Sequence, residues 1–262
     1  MTGSAVQVLE RISLTAPLGF RFWDAATSRV IADGLRVTAQ AAPGSEYVAA
    51  AVSPSGVFGF AHLPGLRDFE YSSAADVWTP PPATRPFVIT VVDKQRRFLP
   101  FIFTAAAPFK GIFSLGCAGA TIAPLGPAKT IPLFSAPART APAGMAALRA
   151  SLRDPTPNTD RPAAWAVVEV SIAANGGSKA LGLGMADAKG QVNLIFPYPN
   201  VAANSGPLVD QQWTVQLRAW YSAALDAGAE QPDVCNVLKQ APAALLANPS
   251  AVLKYGRELV VS

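Results

Sequence analysis

Side chains suited to catalysis are few in this sequence and lie far apart along it. His62 is the only histidine among the 262 residues, and a histidine-dependent nucleophile also needs a Ser or Cys elbow and an orienting carboxylate. Neither is recognisable near His62 in the sequence. Because His62 shares the strand parity of Phe58 and Phe60, we predict a satisfied histidine at the end of a strand. The sequence therefore favours a protein that is not an enzyme.

The carboxylates and glycines indicate neither a reaction nor a cofactor. Asp68 and Glu70 share a strand parity, and a solvated face explains such a pair more simply than a glycosidase site does. The glycines within 176–177 and 182–184 are not followed by the phosphate cradle or the Lys-Ser/Thr ending of a nucleotide loop, so turns or bulges are expected there. We predict no cofactor.

The two cysteines, Cys117 and Cys235, fall in different halves of the chain. Neither has a cysteine or histidine at metal-ligand spacing, so no metal site is expected. Buried free thiols are the commoner outcome for such sparse usage. A single disulfide between the halves is the alternative, and the sequence leaves the redox compartment open.

The composition indicates a protein that buries surface against partners. Half of the residues are hydrophobic and 15% are charged, against roughly 25% charged residues in an average globular chain. Large apolar patches on a lone monomer usually mark interfaces, so we expect an assembly component whose partners include copies of itself. The net charge is +4, but the only basic cluster, residues 94–97, fits a hairpin tip, and no nucleic-acid partner is expected.

Neither the first residues nor the most apolar stretch of the sequence indicates export or membrane insertion. The first residues lack the basic start and long apolar core of a secretory signal peptide, so we expect a cytoplasmic location during assembly, followed by incorporation into a released or membrane-associated particle. The most apolar stretch, residues 109–125, contains three glycines, Pro124 and Lys110. It predicts extended connecting structure and no membrane span.

One pattern occurs twice: a turn glycine followed by an alternating apolar strand. It begins at Gly56 and again at Gly190, with apolar residues at identical offsets. Two copies are too few for a solenoid, so tandem small domains fit better. We predict one domain over residues 1–125 and a second, more divergent one over residues 126–262.

Alternation of apolar and polar residues is the dominant periodicity. Leu35, Val37 and Ala39 share one parity while polar residues take the other, which predicts half-buried strands of antiparallel sheets. The fold class is therefore mainly β, with two tandem antiparallel β-sandwich domains of Ig or prealbumin type. Prolines concentrate in connectors at 79–86 and 124–142, which we expect to lie across a neighbouring subunit or to lend it a strand.

Helix signals are restricted to three short segments. Residues 143–152 place three apolar side chains at helical spacing, Asp233 is a candidate cap for residues 234–240, and residues 243–247 fit one more turn. These predict a short C-terminal helical insertion. A closing strand is expected at residues 259–261.

Four pieces of the first half occur in the order of a known sandwich family. They are Phe22-Trp23-Asp24, Asp33-Gly34-Leu35-Arg36-Val37, Ser53-Pro54-Ser55-Gly56 with the aromatic strand after it, and Leu63-Pro64-Gly65. The stretch resembles the carboxypeptidase regulatory-like, or prealbumin-like, domain. The second half retains fewer of these pieces, in residues 165–172 and 187–197.

The strands that follow extend the resemblance to a class of assembly. Residues 88–93 and then 97–103 are arranged as in proteins encoded within gene clusters for contractile, phage-tail-like injection particles. That resemblance implies a non-enzymatic structural subunit of the baseplate, cap or collar region, acting through protein–protein contacts.

Large aromatic residues near predicted strand ends and loops are the candidate contact residues. Rigid, amphipathic rings serve protein interfaces and sugar stacking alike. A carbohydrate-binding or adhesive module, with its aromatic ledge at Trp78 or Trp220, is therefore the alternative function. The full set of candidate interface residues is Tyr71, Trp78, Phe98, Phe101, Phe113, Trp220 and Tyr221.

Overall fold

The computed structural model describes residues 15–71, 82–174, 177–201, 206–225 and 230–261, and it is mainly β, as predicted. Two short α-helices, α1 Arg67–Glu70 and α2 Val234–Leu238, and two 3-10 turns, Leu208–Asp210 and Ala223–Leu225, interrupt the strands. Among the described residues, no helix is long and apolar enough to cross a membrane. The strands are β1 Leu18–Asp24, β2 Arg29–Ile31, β3 Leu35–Gln40, β4 Val48–Ala49, β5 Ala51–Val52, β6 Val57–Phe60, β7 Arg85–Asp93, β8 Phe101–Ala107, β9 Ile131–Leu133, β10 Met145–Ser151, β11 Val167–Ala174, β12 Gly177–Met185, β13 Gln191–Pro197, β14 Gln212–Tyr221, β15 Ala241–Pro242, β16 Ser250–Lys254 and β17 Leu259–Val261.

The first pair of sheets encloses an aromatic core. One sheet has the order β2-β1-β6-β5, with β9 also paired to β1, and the other has the order β4-β3-β7-β8. Alternate residues of these strands point inward and form one hydrophobic cluster. The rings of Phe20 on β1 and Phe103 on β8 meet edge to face across it, 5.1 Å between centroids.

Parts of the edges of this first sheet pair are covered by the chain itself. Strands β4 and β5 are separated only by Ala50, whose N–H donates to the Val37 carbonyl, so the chain passes from one sheet to the other along that edge. On β8, the N–H of Ile102 donates to the carbonyl of Pro232. Covered edges leave few backbone groups for a partner strand.

The second pair of sheets encloses a mostly aliphatic core that also contains Phe196 and Tyr221. One sheet has the order β13-β10-β17, and the other has the order β12-β11-β14-β15, with β16 also paired to β14. Leu148, Val170, Leu194 and Val215 are among its buried residues. Most strand pairs of the described chain are antiparallel, but β9 pairs with β1 and β17 pairs with β10 in parallel. The assignment of the two sheet pairs to residues 1–125 and 126–262 stays a prediction.

The turn before β6 shows why its glycine is needed. Ser53 N–H donates to the Val57 carbonyl and Gly56 N–H donates to the Ser53 carbonyl, each at 2.9 Å. The Ser53 Oγ accepts the N–H of Val57 at 3.0 Å. Gly56 has φ of +75°, the left-handed conformation that glycine adopts without a Cβ penalty.

The turn before β13 has the same hydrogen bonds at equivalent positions. Asp187 N–H donates to the Gln191 carbonyl and Gly190 N–H to the Asp187 carbonyl, each at 3.0 Å. Asp187 Oδ1 accepts the N–H of Gln191 at 2.9 Å, and Gly190 has φ of +73°. The glycine-and-strand pattern read twice in the sequence is therefore one turn geometry used twice.

The helical predictions are confirmed at one of the three segments. Helix α2 begins after Asp233, whose Oδ1 accepts the N–H groups of Cys235 and Asn236, and β17 is the predicted closing strand. Residues 143–152 were expected to be helical but contain β10, because pairing with β13 and β17 overrides a weak local spacing signal. Residues 243–247 form the connection between β15 and β16 and contain no helix.

Part of the proline-rich connector at 124–142 pairs with its own chain, and its contact with a neighbouring subunit stays a prediction. Strand β9 within it pairs with β1. Just beyond β9, the Phe134 carbonyl accepts the N–H of Leu99, and the N–H of Ala136 donates to the Arg97 carbonyl. The backbone groups of residues 131–136 are therefore largely used within the molecule. The other connector, at 79–86, lies partly outside the described residues.

Candidate protein-interaction edge

A buried ion pair holds the connector to the end of β1. The guanidinium of Arg139 donates through Nη2 to Asp24 Oδ2 at 2.6 Å and through Nη1 to Oδ1 at 3.0 Å. Thr27 Oγ1 and the N–H of Ala26 also donate to this carboxylate. Burial alone raises the pKa of Asp24, but the hydrogen bonds from Arg139 and Thr27 and the charge of Arg139 outweigh it, so the pKa lies below its ordinary value.

The same connector is held from the other side by the second sheet pair. Asn193 Nδ2, on β13, donates to the carbonyls of Arg139 at 2.7 Å and Ala136 at 3.0 Å. Arg149 Nη1, on β10, donates to the Pro137 carbonyl at 2.8 Å. Because Asn193 and Arg149 are opposite each other in the β10–β13 register, one strand pair binds three carbonyls of the connector within residues 136–139.

Asp154 forms a second fully bonded carboxylate. It accepts the N–H of Thr156 and two bonds from the guanidinium of Arg161, and the hydroxyl of Tyr221 donates to Oδ2 at 3.2 Å. The pKa of Asp154 is held well below its ordinary value, first by hydrogen bonds from Thr156 and then by Arg161. Such a group stays ionised and positions its loop against β14.

His62 lies two residues beyond β6 with its side chain 74% exposed, so it does not share the buried face of Phe58 and Phe60 that its parity predicts. It bonds to a carboxylate that the sequence placed in solvent. Its backbone N–H donates to Glu70 Oε1, and its Nδ1 is 3.4 Å from Oε2. Glu70 is fully buried and ends α1. Asp68 and Glu70 therefore share a helical turn and not a strand face, which corrects the solvated pair read from the sequence.

The expectation of two free thiols is wrong. Cys117, in the segment after β8, and Cys235, on α2, form a disulfide that closes a separation of 118 residues. The N–H of Thr121 donates to the Leu238 carbonyl beside it. The disulfide and the ion pair of Arg139 are thus two independent links between early and late parts of the chain.

Most of the aromatic residues predicted to form an interface are inside the molecule. Phe98 and Phe101 are buried in the first cluster, where Phe98 lies 5.2 Å from the Arg97 Cζ and 4.7 Å from the Arg139 Cζ. Phe113 is half-buried and packs edge to face on Phe20. Buried rings are unavailable to a partner of the folded chain, so Phe98 and Phe101 are corrected to packing residues, and Phe113 packs against the same cluster with part of its surface exposed.

The remaining candidates do not form a common patch. Trp220 and Tyr221, expected on an exposed loop, are buried on β14, because Trp220 packs in the first hydrophobic cluster and Tyr221 in the second. Tyr71 is 58% exposed directly after α1. Trp78 lies outside the described residues. The aromatic ledge expected at Trp220 is therefore absent from that position.

An open edge occurs on the second sheet pair, where β16 and β17 lie side by side at the margins of their two sheets. Within the described ranges, β16 pairs only with β14 and β17 only with β10. A groove of about 360 Å³ runs between them. Its lining contains no charged side chain and comprises Ala247, Asn248, Ser250, Ala251, Leu259, Val260 and Val261.

The edge also exposes aliphatic side chains. Val260 on β17 is 74% exposed and Val252 on β16 is 52% exposed. Natural edge strands usually carry charges, prolines or bulges that prevent pairing with another chain. Strand β17 contains none of these, and β16 has a single charged residue, Lys254, at its end. The arrangement suits addition of a partner's strand.

Sequence reasoning located β17 but missed its importance. The run Leu259-Val260-Val261 was recognisable as a strand, whereas its place at a sheet margin depends on a parallel pairing with β10 more than a hundred positions away in the numbering. The absence of charge within the run was the available signal. No protein-family model, curated protein or solved structure matches the chain.

Proposed function

We propose that this chain is a non-enzymatic structural subunit that assembles through protein–protein contacts at the β16–β17 edge. The observation that carries the proposal is the uncharged groove between two margin strands, flanked by exposed Val252 and Val260. Main-chain hydrogen bonds to an added strand would supply affinity, and the groove would receive its side chains. In the other sheet pair the chain crosses between the sheets at β4–β5 and Pro232 bonds to β8, so parts of its edges are already occupied.

The links between the two sheet pairs are the second support for a structural role. We propose that each sheet pair is a sandwich unit of the prealbumin type and that the connector fixes the two units together. The Asp24–Arg139 pair, the bonds from Asn193 and Arg149, and the disulfide all act between them. A subunit that transmits load within a particle gains from such links, because they oppose hinge motion.

From the sequence resemblance we propose that the particle is a contractile, phage-tail-like injection particle. This subunit would lie in its baseplate, cap or collar region. The low charge content and the open edge are compatible with a subunit that is covered in its assembled state. Other subunits and copies of the chain itself are the proposed partners.

A reconstitution with neighbouring gene products tests this proposal. The tagged chain is incubated with the purified products of the genes beside its own, among which we expect tube, sheath and baseplate proteins, and retained proteins are identified. We expect at least one of them to be retained by the wild type and released by Val260→Lys, since the ammonium would be buried unpaired. A stable monomer that retains none of them, at high concentration, contradicts the proposal.

A further inference from the structure

We propose that the outward face of β3 and β7 carries a binding site for an acidic saccharide, a role independent of assembly at the β16–β17 edge. The site is a depression of about 360 Å³ in the first sheet pair. Pockets for small ligands usually begin near this size. Five residues line the depression: Arg36, Thr38, Tyr47, Thr90 and Gln231.

The sheet register explains how these side chains meet. Thr38 and Thr90 are opposite each other on β3 and β7, and Arg36 is two positions from Thr38 on the same face. The residue opposite Thr38 on β4 is Ala49. Because the Ala49 side chain is short, it leaves the depression open beside Thr38. Tyr47, directly before β4, lines the same depression.

The lining offers unused hydrogen-bonding groups. Within the described residues, none of the five side chains makes a hydrogen bond or an ion pair. Two hydroxyls, an amide and a phenol can donate and accept, as the hydroxyls of a sugar require. Tyr47 is 61% exposed, so its ring is accessible for stacking on the apolar face of a pyranose.

The charge of the site selects an acidic sugar. Arg36 is the only charged residue that lines the depression. The carboxylate of Asp93, opposite Leu35 on β7, does not neutralise Arg36 because it is already bonded by Arg97. A free guanidinium binds a carboxylate through two parallel hydrogen bonds. Uronic-acid and sialic-acid saccharides combine that carboxylate with hydroxyls and a pyranose ring.

Calorimetric titration tests the proposal with sialyl-lactose and a glucuronic-acid disaccharide, against lactose and inorganic sulfate as controls. We expect saturable binding of an acidic saccharide and at least about tenfold weaker binding of lactose, since lactose lacks the charge-assisted bonds. Arg36→Gln should remove the preference for the acidic sugar. Tyr47→Ala should weaken every saccharide.

Two threonines allow an effect on the binding site to be distinguished from an effect on the sheet. Thr90 lines the depression, whereas Thr104 points outward on β8 away from it. Thr90→Val should lower affinity several-fold and Thr104→Val should leave it unchanged. No saturable binding of either acidic saccharide, or an Arg36→Gln variant that binds like the wild type, would overturn the proposal. Sulfate binding as tightly as the saccharides would show a simple anion site and overturn it too.

Discussion

Arg139 donates to both carboxylate oxygens of Asp24 although 115 positions separate the two residues. Asp24 is the last residue of β1 and Arg139 lies in the connector, so the pair fixes where the connector leaves the first sheet pair. Ser135 Oγ accepts a further bond from Arg139 Nη1. The connector is therefore an ordered structural element.

Breaking this pair should destabilise the protein strongly. Arg139→Met removes one partner and leaves a buried carboxylate uncompensated, which costs about 3–5 kcal/mol in the free energy of unfolding. Asp24→Asn combined with Arg139→Met should cost less than the sum of the single changes. Urea unfolding of the four proteins of this cycle checks the coupling, and strictly additive effects would contradict it.

The pH dependence of stability should report the same pair. Since the pKa of Asp24 is lowered on folding from its ordinary 3.8, its contribution is complete above pH 3.8 and is lost as the pH falls through the lowered value. In Arg139→Met the hydrogen bonds and charge of Arg139 are lost while those from Thr27 and Ala26 remain, so the pKa of Asp24 lies higher than in the wild type. The stability difference between wild type and Arg139→Met should therefore shrink in acid. A difference that is constant with pH would contradict this assignment.

The disulfide should contribute to the free energy of unfolding by an amount comparable to that of the Asp24–Arg139 pair. Changing both Cys117 and Cys235 to Ser is expected to lower the free energy of unfolding by about 2–5 kcal/mol, because the cross-link restricts the unfolded chain. Chemical denaturation of the oxidised wild type and the double variant measures the difference. Equal midpoints would contradict a structural role for the bridge.

Alanine substitutions at two glycines with nearly the same φ distinguish the cost of backbone strain from the cost of a steric clash. A Cβ on Gly190 would lie 2.4 Å from the Leu152 carbonyl oxygen, whereas one on Gly256 would meet nothing within 4 Å. Both positions have positive φ, so alanine costs about 1–3 kcal/mol at each. Gly190→Ala should cost about 2 kcal/mol more, from the clash. Thermal unfolding compares them, and equal losses would exclude the clash.

Features encoded by local pattern were predictable from the sequence. The mainly β fold, the paired turns at Gly56 and Gly190, the cap at Asp233 and the strand at residues 259–261 depend on neighbouring residues. The pairing of Cys117 with Cys235 and the burial of Trp220 depend on long-range contacts, which composition and parity do not encode. Residues 143–152 show the same limit, since a helical spacing there yields to strand pairing.

The candidate interface needed the same long-range information. Phe98 and Phe101 were chosen as large aromatics, yet the fold places both in the core. Val252 and Val260 are ordinary strand residues until their strands are known to lie at the margins of two sheets. A contact surface built from aliphatic edge residues has no signature in a single sequence beyond its lack of charge.

Sedimentation velocity of the isolated chain tests the β16–β17 edge most directly. Val209 lies on the 3-10 turn before β14, does not line the groove, and is as exposed as Val260, 74% in each case, so Val209→Lys is a matched control for Val260→Lys. We predict that the wild type and Val209→Lys form larger species as concentration rises, while Val260→Lys associates at least about tenfold more weakly, because its ammonium would lose hydration at the contact. Association unchanged by Val260→Lys, or a wild type that stays monomeric throughout, would contradict the account.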